Sequence, residues 1–298
     1  ESNRVFHHRI QGNNMALNLV TYLKSGDESP RLWVNFNEYT KKLLLGAGEN
    51  PWTSPAAYMS FYGQAHGLVK ADVVVLDVWD LFQHWMEEDE KAVPSMAEKG
   101  RLTYALKVML EAFAPRELLA EVITAVSNNY GGSTPIVLVV PSPRSLLIKA
   151  HKAATGNDAE PEEMAIDTAG MYLADFLRYF SETELSGVLL VEDENLMPAS
   201  TEELSWYQPV FNITKHYRWS VGIQLPFSGD GFNVPGDVDF AITPAASAIS
   251  ADTLGVDISQ PLWQGDEIVG KGNGFYYFSI PADSKPESVL DTISTLKS

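Results

Sequence analysis

Eight strand-like apolar runs recur along the chain, and several stop abruptly in polar or charged residues. They are RLWVNF (31–36), ADVVVLDVWD (71–80), TPIVLVV (134–140), SGVLLVEDE (186–194), WSVGIQLP (219–226), DVDFAITP (237–244), TLGVDIS (253–259) and GFYYFSIP (274–281). Continuous apolar runs of this kind suit strands covered on both faces, as in a parallel sheet. Helical periodicity fills most of the intervals. Residues 13–24 predict a short helix closed by Ser25 and Gly26. The stretch from Leu81 to about Asn128 predicts two or three helices broken near Pro94 and at Pro115, closed by Asn128, Asn129, Gly131 and Gly132. Further helices are expected over 161–180, from Thr201 to about Tyr217, and after Lys285, whereas helix signals are weak between the fifth and eighth runs. The alternation predicts an α/β fold: a (β/α)8 TIM barrel with an N-terminal helical segment and a long helical insertion after strand 2. No Pro/Gly/Ser-rich linker divides the 298 residues, so a single domain over 1–298 is expected.

Composition narrows the partners. With 21 Lys+Arg against 39 Asp+Glu the formal net charge is −18, which repels phosphate backbones and anionic membrane surfaces. Neither nucleic acid nor membrane is an expected partner. The sequence has no Cys, which removes disulfides, thiolate metal sites and thiol nucleophiles. No apolar stretch approaches the roughly 20 residues that span a bilayer, and ESNRVFHHRI lacks the apolar core of a signal peptide. A cytoplasmic location is the expectation, although a secreted chain that has lost its signal would read the same way.

The order and spacing of these segments over nearly the whole chain resemble the uroporphyrinogen decarboxylase superfamily, TIM barrels that also include corrinoid-linked methyltransferases. RLWVNFNEY resembles the first strand of that family, and NPWTSPAAYMSFYGQAHGLVKADVVVLDVWD resembles its helix and second strand ending in an acid. TPIVLVVPSPRSLLIKA resembles the third strand and its turn, through Ser142, Pro143, Ser145 and Leu146. LADFLRYFSETELSGVLLVEDE resembles the fourth strand with its preceding helix, and GNGFYYFSIPADSKPESVLDTIST the eighth strand with its closing helix. Of the family's site residues, only the second-strand acid has a counterpart, as Asp77 or Asp80. Asn35, Phe36, Asn37 and Glu38 stand in place of substrate-binding arginines, Lys149 in place of a Tyr, and Phe278-Ser279-Ile280 in place of a Gly-His-Gly. The methyltransferases' thiolate zinc ligands have no counterpart, because there is no Cys.

In a TIM barrel the active site forms where the C-terminal strand ends and βα loops meet. That rule selects Asn35, Asn37, Glu38, Asp77, Asp80, Arg144, Glu192, Asp193, Glu194, Gln224, Thr243 and Asp257. Asp77, Asp80, Glu192 and Asp193 are the expected proton-handling groups: Glu192, Asp193 and Glu194 are adjacent carboxylates at a partly dry strand end whose repulsion raises one pKa, and of Asp77 and Asp80 at most one is expected to face the mouth while the other caps the following helix. Asn35, Asn37, Glu38, Arg144, Gln224 and Tyr277 are the expected substrate contacts, Arg144 anchoring an anion from the start of a helix. Trp79, Tyr39, Tyr276 and Tyr277 are candidates to line a pocket for a flat substrate, with core packing as the competing explanation. His7, His8, His66, His84, His151 and His216 have no ligand-set spacing. No metal site is expected, although Glu38, Asp77, Glu192 and Gln224 offer oxygen chemistry for a hard cation.

The sequence lacks a GxSxG elbow, a P-loop, a dinucleotide-binding glycine pattern and HExxH. The resemblance and the strand-end acids together imply a decarboxylase-like lyase acting on a small organic or aromatic acid. The alternatives are a corrinoid- or folate-linked methyltransferase, a non-catalytic barrel subunit of a heteromeric enzyme, and a glycosidase. No cofactor is required by the residues themselves; a corrinoid enters only through the resemblance, as does a homodimer or a partner of the same family, and a metal through the resemblance or through those strand-end oxygens.

Overall fold

The computed structural model describes residues 16–26, 29–226, 233–244, 249, 251–268, 270 and 274–297. His7 and His8 and the start of the 13–24 segment lie outside the described residues. Eight strands form one parallel sheet: β1 (Leu32–Asn35), β2 (Val74–Asp77), β3 (Ile136–Pro141), β4 (Gly187–Val191), β5 (Ser220–Gln224), β6 (Phe240–Pro244), β7 (Leu254–Asp257) and β8 (Phe275–Ser279). Their order is β1-β8-β7-β6-β5-β4-β3-β2, a nearly closed barrel with helices between the strands. The chain is an α/β protein with the (β/α)8 TIM-barrel architecture.

Closure between β1 and β2 rests on side chains and one backbone contact rather than on a strand ladder. The Leu32 N–H donates to Asp72 Oδ2 at 2.8 Å, the Asp72 N–H donates to the Leu32 carbonyl at 3.1 Å, and Arg31 pairs with Asp72 at 3.3 Å. Near the other end of the strands, Asp80 accepts from Asn37 and pairs with Lys41 at 2.7 Å. Asp72 and Asp80 thus stitch the seam at both ends.

Strand alternation sorts the core into two shells. Leu32, Val34, Leu76, Leu138, Val140, Val188, Leu190, Ile223 and Phe278 face the helices. Trp33, Val73, Val137, Leu189, Phe240, Ile242, Phe275 and Tyr277 fill the barrel interior, where the helix Leu19–Lys24 adds Leu19 and Leu23. Three ring faces crowd this interior, Trp33 lying 5.7 Å from Phe240 and 5.9 Å from Phe275. Gly222 and Gly255 make room for them, since a Cβ at either position would run into the Phe240 or the Phe275 ring.

The helical insertion after β2 comprises Val78–Glu88, Ala92–Met96, Leu102–Glu111 and Phe113–Tyr130. Pro94 lies inside the short second helix and Pro115 in the first turn of the last, where its missing N–H costs nothing. The predicted breaks therefore fall beside these prolines rather than at them. The run 71–80 is only partly strand: Asp77 caps a helix, so Val78, Trp79 and Asp80 form its first turn. The predicted helix from Thr201 to Tyr217 is two, Thr201–Ser205 and Gln208–Tyr217, Pro209 being accommodated at the start of the second. Among the described residues no helix lies between β5 and β7. None is long and apolar enough to cross a membrane.

Candidate active site

A cavity of about 430 Å³ opens at the C-terminal ends of the strands. Its floor is the interior layer nearest the mouth: Trp33, Val75, Val139, Leu189, Val191 and Tyr277. One wall is aromatic, with Phe36, Trp52, Tyr58, Phe61, Tyr62 and Trp79. Polar groups come from strand ends and the first residues after them: Asn35, Asn37, Asp77, Asp80, Glu192, Asp193, Glu194, Asn195, Gln224 and Ser279, together with Lys149. The size and the mixture of apolar walls with polar strand-end groups fit a small organic ligand.

Asp77 carries the most perturbed carboxyl in the cavity. Burial, reinforced by the negative charge of Asp80, pushes its pKa up from 3.8 to about 7. Hydrogen bonds from the Trp79 and Asp80 N–H groups to Oδ1, at 2.9 and 3.1 Å, and the Lys41 charge pull the other way without winning. The same geometry makes Asp77 the cap of the helix Val78–Glu88. Asp80 sits in that helix's first turn, held by Lys41 and Asn37. Burial opposes the charge on Lys41, but Asp80 and Glu38 together raise its pKa above the usual value. Tyr58 lies within the electrostatic reach of both acids, and its phenol is raised well above its ordinary value by burial first and by Tyr62, Asp80 and Asp77 after it.

A neutral polar cluster forms from other strand ends. The Tyr277 hydroxyl lies 3.3 Å from Ser279 Oγ and hydrogen-bonds with Gln224 and Asn35. Burial nonetheless pushes its pKa upward, so it remains a phenol at neutral pH. Asn35, Asn37, Gln224 and Tyr277 all line the cavity, and so do Asp77, Asp80, Glu192 and Asp193.

Several predicted residues do other work. Arg144 does not line the cavity: its guanidinium is buried against Glu192 at 2.8 Å, pairs with the Glu203 carboxylate at 3.5 Å, and donates to the Met197 carbonyl at 2.8 Å. Glu192 reaches the cavity wall but is held by Arg144 and by the Tyr207 hydroxyl, which donates to Oε1 at 2.5 Å. Both of its oxygens are therefore engaged in a structural network. Asp193 pairs with Lys149 at 3.2 Å and accepts from the Asn195 backbone and side-chain N–H groups at 2.9 and 3.0 Å. Burial would raise its pKa, but these donors outweigh it and hold the carboxyl below the usual range, the reverse of what mutual repulsion among 192–194 predicts. Glu38 lies outside the cavity, largely exposed and paired with Lys41 at 3.0 Å. Asp257 accepts from Ser259 at 2.6 and 2.9 Å, and neither it nor Thr243 lines the cavity.

Trp79 and Tyr277 face the cavity; Tyr39 and Tyr276 do not. Residues that strand-end reasoning passed over as site members are Lys149, Trp52, Tyr58 and Tyr62. They come from helices or from the 51–53 turn, and the one available cue was the unusual Lys at 149. Among the described residues no His lines the cavity, and no group of three or more His, Cys, Asp or Glu is placed to hold a metal ion. With no Cys in the sequence, the donor set does not fit a thiolate zinc centre.

No protein-family model matches the sequence, and no curated protein matches it significantly. Solved structures do match. A methyltransferase from Methanosarcina mazei superposes with a TM-score of 0.55 and 11% sequence identity, covering 95% of this chain and 98% of that one. Identity this low with coverage this complete shows a shared barrel architecture.

Proposed function

We propose that this chain is a decarboxylase-like lyase acting on a small organic or aromatic acid, with Asp77 as the proton-handling group. The observation that carries the proposal is a carboxyl with a pKa of about 7 at the wall of an apolar, aromatic cavity at the C-terminal end of a TIM barrel. A group poised near neutrality both gives and recovers a proton at little cost. In the proposed step the substrate's carbon–carboxylate bond breaks, carbon dioxide leaves, and the bonding electrons remain on carbon. Asp77, protonated, delivers its proton to that carbon and becomes a carboxylate, then regains a proton from solvent. The Tyr277, Gln224 and Asn35 cluster supplies neutral donors for charge that spreads onto a substrate oxygen. Asp80, fixed by Lys41 and Asn37, keeps the Asp77 pKa high.

The test is carbon dioxide release from a panel of small aliphatic and aromatic acids by the wild type and by Asp77→Asn. Asparagine preserves the shape and the helix cap but cannot deliver the proton, so a loss of about 10² to 10⁴ in rate is expected. Undiminished release by the variant, or none from any acid with the wild type, refutes the proposal.

Methyl transfer is the second reading, supported by the fold shared with the Methanosarcina mazei methyltransferase. There Asp77 would take up the proton released when an acceptor is methylated. A cavity of about 430 Å³ suits a small acceptor. Transfer of a labelled methyl group without carbon dioxide release would favour this reading. The glycosidase alternative is weakened because Glu38 and Asp257 stand outside the cavity and Glu192 is tied to Arg144 and Tyr207.

A further inference from the structure

Lys149 is the single cationic side chain among the described residues that line the cavity. It projects from the helix Pro143–Thr155, which follows β3 and is capped by Ser142. Its ammonium lies 3.2 Å from Asp193 Oδ2 and 5.6 Å from the centroid of the Trp79 ring, and its side chain keeps 34% of its exposure. The neighbouring cations are spent elsewhere. Arg144 is committed to Glu192, Glu203 and the Met197 carbonyl, and Lys41 to Asp80 and Glu38; neither lines the cavity.

The pairing with Asp193 leaves Lys149 able to bind. An ammonium has three donors, and the contact with Asp193 uses one. Asp193 is itself well anchored: its Oδ1 accepts from Asn195, and its backbone N–H donates to Ser145 Oγ at 3.1 Å. The carboxylate therefore acts as a fixed post that holds the ammonium at the cavity edge beside a flat indole. Trp79 in turn follows Asp77 by two residues in the first turn of the same helix.

We propose that Lys149 anchors the carboxylate of a flat, aromatic-type acid whose ring lies against Trp79 and whose reacting carbon reaches toward Asp77. The anchored carboxylate is then a spectator, distinct from the group that reacts, and the substrate class is a flat acid carrying an anionic group away from its reacting centre. In a chain of net charge −18, one accessible ammonium decides whether such an anion is held at all.

The inference rests on the reading of the cavity as a substrate site for acids, and its test reads binding rather than turnover. Isothermal titration with 2-naphthoate and its neutral amide, 2-naphthamide, measures the anchor directly. Wild type should bind the acid at least about tenfold more tightly than the amide, as one charge-assisted contact implies. Lys149→Met and Lys149→Gln should both reduce the acid to the level of the amide, and Lys149→Arg should keep part of the preference. Asp77→Asn should keep the preference for acid over amide, so a failure of the proton-transfer reading leaves this outcome standing. Equal affinity for the two probes in wild type, no binding of the acid, or an unchanged preference in the Met and Gln variants overturns the proposal.

Discussion

Replacing Asp77 by Asn offers a test of the site that needs no substrate. The substitution keeps the side-chain shape and the acceptor that caps the helix Val78–Glu88, since Oδ1 alone takes the N–H groups of Trp79 and Asp80. What it removes is a titration. Folding raises the Asp77 pKa from 3.8 to about 7, and at about 1.4 kcal/mol per pH unit that rise is worth about 4 kcal/mol. The native state holds the proton more tightly than the unfolded chain, so this contribution is complete below about pH 4 and is lost as pH rises through 7. Between those limits the wild type should lose stability from this group by about 1.4 kcal/mol per pH unit, and Asp77→Asn should not. Urea denaturation at half-unit steps from pH 4 to 8, followed by the fluorescence of the seven tryptophans, gives both curves. The difference between the proteins cancels groups remote from residue 77 and leaves Asp77 together with its coupling to Asp80. The variant should gain on the wild type by about 3 to 4 kcal/mol across the range. Two parallel profiles would show that Asp77 titrates as an ordinary carboxyl, and the reasoning about the cavity's acid would fail with it.

Catalysis has a matching signature: if protonated Asp77 delivers the proton, kcat should fall as pH rises through about 7, and a flat profile to pH 9 refutes the assignment. Arg144→Met strands the buried Glu192 carboxylate without its cation and should cost about 3 to 5 kcal/mol in urea denaturation, whereas an anchor exposed to ligand would cost far less. Gly222→Ala drives a methyl into the Phe240 ring inside the barrel and should lower stability by about 1 to 3 kcal/mol by the same measurement. Asp72→Ala removes the acceptor of the Leu32 N–H and the partner of Arg31, with an expected loss of about 1 to 3 kcal/mol.

The architecture was legible because strands buried on both faces have to be written as unbroken apolar runs, and all eight runs contain a strand. Their ends were less legible. Val78-Trp79-Asp80 continues an apolar run, yet the Asp77 carboxylate satisfies two N–H groups and starts a helix there, which residue type alone does not distinguish from strand. The acids of the site were found by position, but their roles were not. Burial and the neighbouring Asp80 raise the Asp77 pKa, and Glu192 is tied to Arg144, 48 residues away in sequence; both arrangements exist only once the chain is folded. Lys149 is illegible as a cavity residue from strand-end position, because it lies on the helix Pro143–Thr155, about two turns beyond the end of β3.

The junction between β1 and β2 gives this barrel a preferred place to yield. Seven neighbouring strand pairs are joined by backbone ladders, and separating any of them breaks a row of main-chain bonds. The eighth is fastened chiefly by the carboxylates of Asp72 and Asp80, so parting it means releasing a few side chains. With fewer main-chain bonds to break, local opening should begin on this side of the ring. Asp77 ends the strand on one flank of that junction and Asn35 the strand on the other, so the weakest-tied seam of the barrel runs up to the wall of the cavity.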